Sequence, residues 1–243
     1  MRNLSFMEKT EGFYNAFQRI KAVHFDLDGS LVDSAKAWFH SEIELLRSFG
    51  IDLPVEEIRD ITHDDLVGRG QWFAARFYKE KFDLPASIEE IRTQRIGLVK
   101  RYYGDMELIA GAKEFLEVIA QSELKVTLAT SAPLELTDIF IRKHGFEGWF
   151  DGVVSDDQVE ESKPSPEVFL KAAECVGVNP EDSLVVEDSR NGLLSAKRSG
   201  SLCLLVPNEK FSFDKSGLLD KADFVLKTLE HVDLEKLREL LLV

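Results

Sequence analysis

Six short runs along the chain are mostly apolar at successive positions, and longer stretches with helical spacing separate most of them. The runs fall at 22–25, 125–129, 152–155, 183–186, 202–206 and 224–226. Apolar side chains on both alternations predict strands buried on both faces, as in a parallel sheet covered by helices. The helical stretches carry end signals. Ser165-Pro166-Glu167 offers an N-cap, a proline at the first helical position and an early acid. Phe169, Leu170 and Ala173 continue that apolar stripe, and Gly177 stops it. Gly111 precedes a helix with Phe115, Leu116 and Ile119 on one face; Gly145 and Gly200 close two others. Within residues 1–20, Phe13, Phe17 and Ile20 recur at helical spacing, which predicts a short amphipathic helix packed on the body. Residues 229–241 predict a last helix docked on the core. The alternation of the two patterns predicts an α/β fold with a doubly wound, Rossmann-like, mostly parallel sheet.

One stretch breaks the alternation. Between residues 36 and 107 the pattern is helical throughout: Phe39, Ile43, Leu46 and Phe49, then Trp72, Phe73, Ala75 and Phe77, then Ile88, Ile91, Ile96 and Val99. Some seventy helical residues after the first strand predict an inserted α-helical cap. The expected organisation is a core of residues 1–35 and 108–243 with a cap at 36–107. The joints fall near 34–38 and 106–111. Trp72 and Phe73 are expected in the interior of the cap.

Composition narrows the function. With 243 residues the chain can bury a sizeable core, and its 44% apolar and 30% charged residues are those of an ordinary globular protein. A net charge of −14 excludes a broad basic face, so nucleic acid is not an expected partner. Phosphate binding would need a local site of cations, helix N-termini or a metal. No apolar run approaches the ~18 residues of a membrane span, and residues 1–20 lack a signal-type apolar core. No membrane partner, a cytoplasmic location and a monomer or weak homodimer are therefore expected. Cys175 and Cys203 have no metal or framework spacing and are expected as buried thiols. The five histidines show no ligand spacing.

The candidate chemistry lies where the strands end. The first run is followed by Asp26-Leu27-Asp28-Gly29-Ser30. Two buried carboxylates ~5 Å apart cost roughly 3 kcal/mol at an effective dielectric of ~20. Such a pair implies a divalent cation, a catalytic use or both; the alternative is a solvated Asp-Gly turn. In open α/β sheets, ligands bind beyond the carboxyl ends of the strands. There the second run gives Thr130-Ser131 and the fourth gives Glu187-Asp188-Ser189, while Lys163 stands just before the helix at Ser165. Each has a plainer reading. Thr130-Ser131 could cap the next helix, Lys163 could be solvated, and Glu187-Asp188 could sit at a helix dipole. Together they place four carboxylates, a hydroxyl and one lysine on one rim. That excess of negative charge calls for a hard cation, and oxygen ligands suit Mg²⁺.

Asp-Leu-Asp-Gly-Ser, Ala-Thr-Ser, Ser-Lys-Pro-Ser-Pro-Glu and Val-Glu-Asp-Ser-Arg-Asn-Gly occur in this order. The chain thereby resembles the haloacid-dehalogenase-like superfamily, in the helical-cap subgroup of β-phosphoglucomutase and the sugar-phosphate phosphatases. The resemblance implies a Mg²⁺-dependent phosphatase of a small phosphorylated metabolite such as a sugar or polyol phosphate. Asp26 would be the nucleophile, forming an aspartyl-phosphate, and Asp28 the general acid and base. Mg²⁺ would sit among Asp26, the backbone carbonyl of Asp28 and Asp188, with Glu187 nearby. Thr130 and Lys163 would hold the phosphoryl oxygens. Ser131 and Gly68 would contact substrate. The glycine-rich stretch 64–71 would be a substrate-reading loop, with Arg69 as its contact to the leaving group.

Other chemistries of the superfamily fit less well. Dehalogenases lack the second aspartate and phosphonatases replace it with a small residue, whereas Asp28 is present. The mutases usually carry a histidine where this chain has Trp38, which favours the phosphatases, yet the mutase reaction stays open. The stretch after the first motif departs from the usual pattern as Asp33-Ser34-Ala35-Lys36. Lys36 could approach an anionic substrate or lie on the surface. A phospho-receiver or binding module is a remote alternative: receivers are about half this length and carry their aspartate on a middle strand.

Overall fold

The computed structural model describes residues 8–63, 66–207 and 219–241. Six strands form one parallel sheet: β1 (Ala22–Phe25), β2 (Lys125–Ala129), β3 (Gly152–Val154), β4 (Ser183–Glu187), β5 (Leu202–Leu205) and β6 (Phe224–Val225). Their order is β3-β2-β1-β4-β5-β6. The order reverses at β1, which is the switch point where such sheets open a crevice. Phe25 pairs in register with Leu128 on one side and Val186 on the other. One residue further along, Asp26 therefore stands level with Ala129 and Glu187, and its N–H still donates to Val186 O at 3.0 Å.

Both faces of the sheet are covered, as uninterrupted apolar runs require. Val23, Phe25, Val126, Leu128, Leu184 and Val186 point to one face. There they pack against α1 (Glu8–Ala16), α6 (Ala112–Ala120), α7 (Leu134–His144) and α10 (Leu234–Leu241). Ala129, Val185, Cys203 and Leu205 point to the other face, against α8 (Glu167–Cys175) and α9 (Arg190–Ser199). Phe13 and Phe17 of the N-terminal segment are buried edge-to-face against each other beside Phe115, so that segment is part of the core. Each such ring contributes roughly 2–3 kcal/mol by leaving water.

Four helices stand between β1 and α6: α2 (Ala35–Ser48), α3 (Val55–His63), α4 (Gln71–Phe82) and α5 (Ile88–Tyr103). They bury a cluster of their own around Leu45, Leu46, Ala75, Tyr78 and Ile91. A capping box starts α5: Ser87 Oγ accepts from Glu90 N–H at 3.2 Å, and Glu90 accepts from Ser87 N–H at 2.7 Å. Among the described residues no helix is long and apolar enough to cross a membrane.

Several sequence expectations shift. Trp72 is 47% exposed rather than interior, because the buried stripe of α4 is Gln71, Ala74, Ala75 and Tyr78; its ring lies 4.7 Å from the Arg92 guanidinium. Phe73 is half-buried at the edge of the helical cluster. Cys175 is exposed, because it lies off the buried stripe Val168, Phe169, Ala172 and Ala173 of α8, whereas Cys203 is buried in β5. The helix expected from Ser165 begins at Glu167, with Pro166 ahead of it. The last helix starts at Leu234, after a separate short turn at Leu229–His231. The N-terminal helix spans Glu8–Ala16, and the rest of its expected range before residue 8 lies outside the described residues.

Candidate active site

The strand register gathers the rim. Lys163, from the loop before α8, reaches 2.6 Å from Asp26 Oδ1, 2.7 Å from Glu187 Oε1 and 3.3 Å from Ala129 O. It is 1% exposed. Burial opposes its charge, but Asp26 and Glu187 outweigh burial and hold the ammonium above the ordinary lysine range. The solvated reading of Lys163 is thus excluded. Glu187 spends its other oxygen on the turn into α9, accepting from Asp188 N–H, Ser189 N–H and Ser189 Oγ at 2.9, 2.9 and 3.0 Å. Ser189 in turn caps α9 by accepting from Gly192 N–H at 3.0 Å. Thr130 Oγ1 accepts from Ala132 N–H at 3.0 Å and does not cap α7, which Pro133 precedes.

Oxygens of Asp26, Glu187 and Asp188 lie within 4.8 Å of one another. Burial, then the neighbouring carboxylates, push Asp188 well above the usual carboxylate range. Burial raises Asp26 as well, against the pull of Lys163. Gly29 explains how Asp188 comes so close. It has φ +93°, and a Cβ there would lie 2.0 Å from Asp188 Oδ2, so a side chain at residue 29 would displace the carboxylate. Hard, converging and under-neutralised oxygens fit a divalent cation such as Mg²⁺. Asp28 sits on the same rim, and Tyr103 Oη donates to its Oδ1 at 2.8 Å. Burial raises Asp28 too, opposed by hydrogen bonds from Ser34, Tyr103 and Trp38.

The helical insert closes the site. A cavity of about 240 Å³ is bounded on the core side by Asp26, Asp28, Thr130, Ser131 and Asp188. On the insert side it meets Trp38, Glu42, Arg59, Arg69, Gln71 and Arg95. Lys36 is exposed, as its surface reading expects, and also borders the cavity. The loop ahead of α4 touches the core directly. Ser131 Oγ donates to Gly68 O at 2.9 Å, and Asn191 Nδ2 donates to Val67 O at 2.7 Å. Gly68 has φ +76°, and a Cβ would come within 2.5 Å of Ser189 Oγ, so only glycine permits this approach. Arg69 lines the cavity with its guanidinium 3.9 Å from the centre of the Phe73 ring. Asp64 and Asp65 of the expected reading loop lie outside the described residues.

Sequence reasoning missed one polar cluster in the cavity wall. Arg95 pairs with Glu42 at 3.1 Å, donates to Gln71 Oε1, and lies 4.6 Å from the centre of the Trp38 ring. All three polar side chains are buried. The signal was available: Arg95 falls midway between Ile91 and Val99 on one stripe of α5, where a charge has no bland reason to be. Asp156 was also missed; its Oδ2 accepts from Gln71 N–H at 2.8 Å and ties the insert to the core.

Fold and site together define an α/β protein with a cluster of buried carboxylates at the switch point of a parallel sheet. The chain belongs to the haloacid dehalogenase-like hydrolases, whose family model matches residues 23–206. It is 28% identical to hexitol phosphatase B of Escherichia coli (strain K12) over 87% of this chain and 94% of that one. It is 32% identical to phosphoglycolate phosphatase of Salmonella paratyphi A over 76% and 81%. In structure it is similar to CbbY from Rhodobacter sphaeroides, solved in complex with phosphate, with a TM-score of 0.76 and 25% identity over 90% of this chain and 99% of that one. The chain is accordingly an enzyme, a phosphatase of this family.

Proposed function

We propose that the protein is a Mg²⁺-dependent phosphatase of a small phosphorylated metabolite, a sugar or polyol phosphate, acting through an aspartyl-phosphate. The convergence of Asp26, Asp28 and Asp188 on one cavity roofed by the helical insert, with Lys163 bonded to Asp26, carries this reading. The similarity to a hexitol phosphatase supports the substrate class.

Asp26 attacks phosphorus; the bond from phosphorus to the ester oxygen breaks, and its electron pair leaves with that oxygen. Asp28, in its acid form, gives its proton to the departing oxygen. Asp28, now a carboxylate, then takes a proton from the water that attacks the phosphorus of the aspartyl-phosphate. Inorganic phosphate leaves and Asp26 is restored. Lys163 and Thr130 face the equatorial phosphoryl oxygens, where charge is spread. Asp26, Asp188 and the Asp28 carbonyl would hold the cation, which neutralises phosphoryl charge when bound. Residues 36–107 act as the cap: they shut water out of the cavity and present Arg69 and Gly68, with Ser131 opposite, to the leaving group.

Incubating the purified protein with a panel of phosphorylated metabolites, scoring both released phosphate and isomerised product, tests this reading. Phosphate release with Mg²⁺, lost by more than ~10³-fold in Asp26→Asn, is expected. Isomer formation without free phosphate would replace the phosphatase by a mutase.

A further inference from the structure

Tyr103 ends α5 at the second joint between insert and core. Its ring is buried in the main hydrophobic cluster, and its hydroxyl donates to Asp28 Oδ1 at 2.8 Å. The donor reaches Asp28 from 75 residues away in sequence, where the chain returns from insert to core. An aspartate carboxyl left without a donor turns freely about its last torsion, which is broad and roughly two-fold. A phenol on a buried, packed ring restricts that torsion. A misplacement of 1 Å at a reacting group can cost ~10²-fold in rate.

We propose that Tyr103 is a positioning residue for leaving-group protonation: its phenol holds the Asp28 carboxyl toward the ester oxygen of the substrate. The proposal rests on the reading of Asp28 as general acid. Tyr103 does not line the cavity; it acts through Asp28. A plainer account would have the phenol merely satisfied by a nearby carboxylate, and the two accounts differ in what removal of the hydroxyl does to different substrates. An alkoxide leaving group needs the proton of Asp28 in the transition state. A p-nitrophenolate leaves as a stabilised anion and hardly needs it.

The test is Tyr103→Phe, which keeps the buried ring and deletes the donor. The value of kcat/KM is measured on sorbitol 6-phosphate and on p-nitrophenyl phosphate, because kcat/KM reports the steps up to departure of the leaving group and not the later hydrolysis. A loss of ~10-fold or more on the sugar-alcohol ester and under ~3-fold on the aryl ester is expected. Circular dichroism and thermal unfolding establish that the variant is folded. Equal losses on both esters, or none on either, would overturn the positioning role. Asp28→Asn is assayed alongside. If Asp28→Asn shows the bias toward the aryl ester and Tyr103→Phe does not, the Tyr103 inference fails alone. If Asp28→Asn shows no bias, the acid assignment fails and the Tyr103 role falls with it. In the double variant, Tyr103→Phe is expected to add no further bias; an additional loss confined to the alkyl ester would show that the phenol acts elsewhere.

Discussion

Lys163 Nζ lies 2.6 Å from Asp26 Oδ1 and 2.7 Å from Glu187 Oε1, so one buried ammonium ties the end of β1 to the end of β4. All three groups are almost fully removed from water. Taking one partner from such a cluster leaves uncompensated charge in a poorly solvated place, at a cost of about 3–5 kcal/mol. Lys163→Met keeps much of the side-chain volume and removes the charge. Urea unfolding of the metal-free variant is expected to show a loss of that size, with part of it recovered on adding Mg²⁺. A loss below about 1 kcal/mol would mean that water or a rearranged Glu187 compensates the carboxylates. Turnover is expected to fall by at least ~10²-fold, since the cation beside the reacting phosphoryl group is gone.

Asp188 gives a second, independent handle on the cation. In the metal-free protein its charge crowds those of Glu187 and Asp26. Asp188→Asn therefore removes repulsion, and the metal-free variant should be at least as stable as the parent. The parent gains stability from Mg²⁺ by mass action, about 2.7 kcal/mol at a hundredfold excess over the dissociation constant. The variant should gain far less. Unfolding curves taken in EDTA and in rising Mg²⁺ separate the two effects. A variant with the parent's full response to Mg²⁺ would place the ion elsewhere. In activity assays EDTA should abolish phosphate release and Mg²⁺ restore it.

What was legible in the sequence, and what was not, follows from where the physical signal is local. Strands such as Lys125–Ala129 and Ser183–Glu187 are short apolar runs because both of their faces are covered, and that shows in any window of five residues. The rim carboxylates and Thr130 are legible because each stands at or just beyond the end of such a run, and Lys163 because it stands just ahead of a helix start. Tyr103, Glu42 and Asp156 carry no comparable mark; they matter through partners 75, 53 and 85 residues away. Trp72 misled because large aromatics outweigh small residues in a periodicity, while Phe73 packs half-buried at the edge of the cluster. The stripe that packs is carried instead by Gln71, Ala74, Ala75 and Tyr78. Cys175 misled because it lies in the helix but off its buried stripe of Val168, Phe169, Ala172 and Ala173.

Arg69 borders the cavity from the insert side, beside the point where Gly68 meets Ser131. In the proposed reaction Asp26, Asp28, Thr130 and Lys163 handle what all phosphate esters share, so discrimination among esters falls to groups facing the leaving group. Arg69→Ala is expected to reorder kcat/KM across a panel of sugar and polyol phosphates, with individual substrates changing by about 10-fold or more. Its effect on p-nitrophenyl phosphate should be smaller. A uniform fall across the panel would make Arg69 a structural brace against Phe73, and would move discrimination to Gln71 and Arg95.

Asp156 makes the junction between insert and core sensitive to pH. Burial pushes its carboxyl above the ordinary carboxylate range, up to about 6, with Gln71 N–H, Arg92 and Arg95 pulling down and Asp157 pushing up. The folded protein therefore keeps a proton on this group through a range in which the unfolded chain has released it. Stability from this group is full below pH ~4, falls as pH rises, and is lost above pH ~6. The whole span is worth on the order of 3 kcal/mol for a group this buried. Asp156→Asn can still accept the Gln71 N–H and cannot ionise. Urea unfolding of parent and variant at pH 4.5, 5.5 and 7 should show the variant gaining on the parent as pH rises, by roughly 1–3 kcal/mol between the ends of the series. Parallel pH profiles would mean that Asp156 stays ionised in the folded protein at pH 4.5. In that case the Gln71 N–H and the two arginines would outweigh burial at this junction.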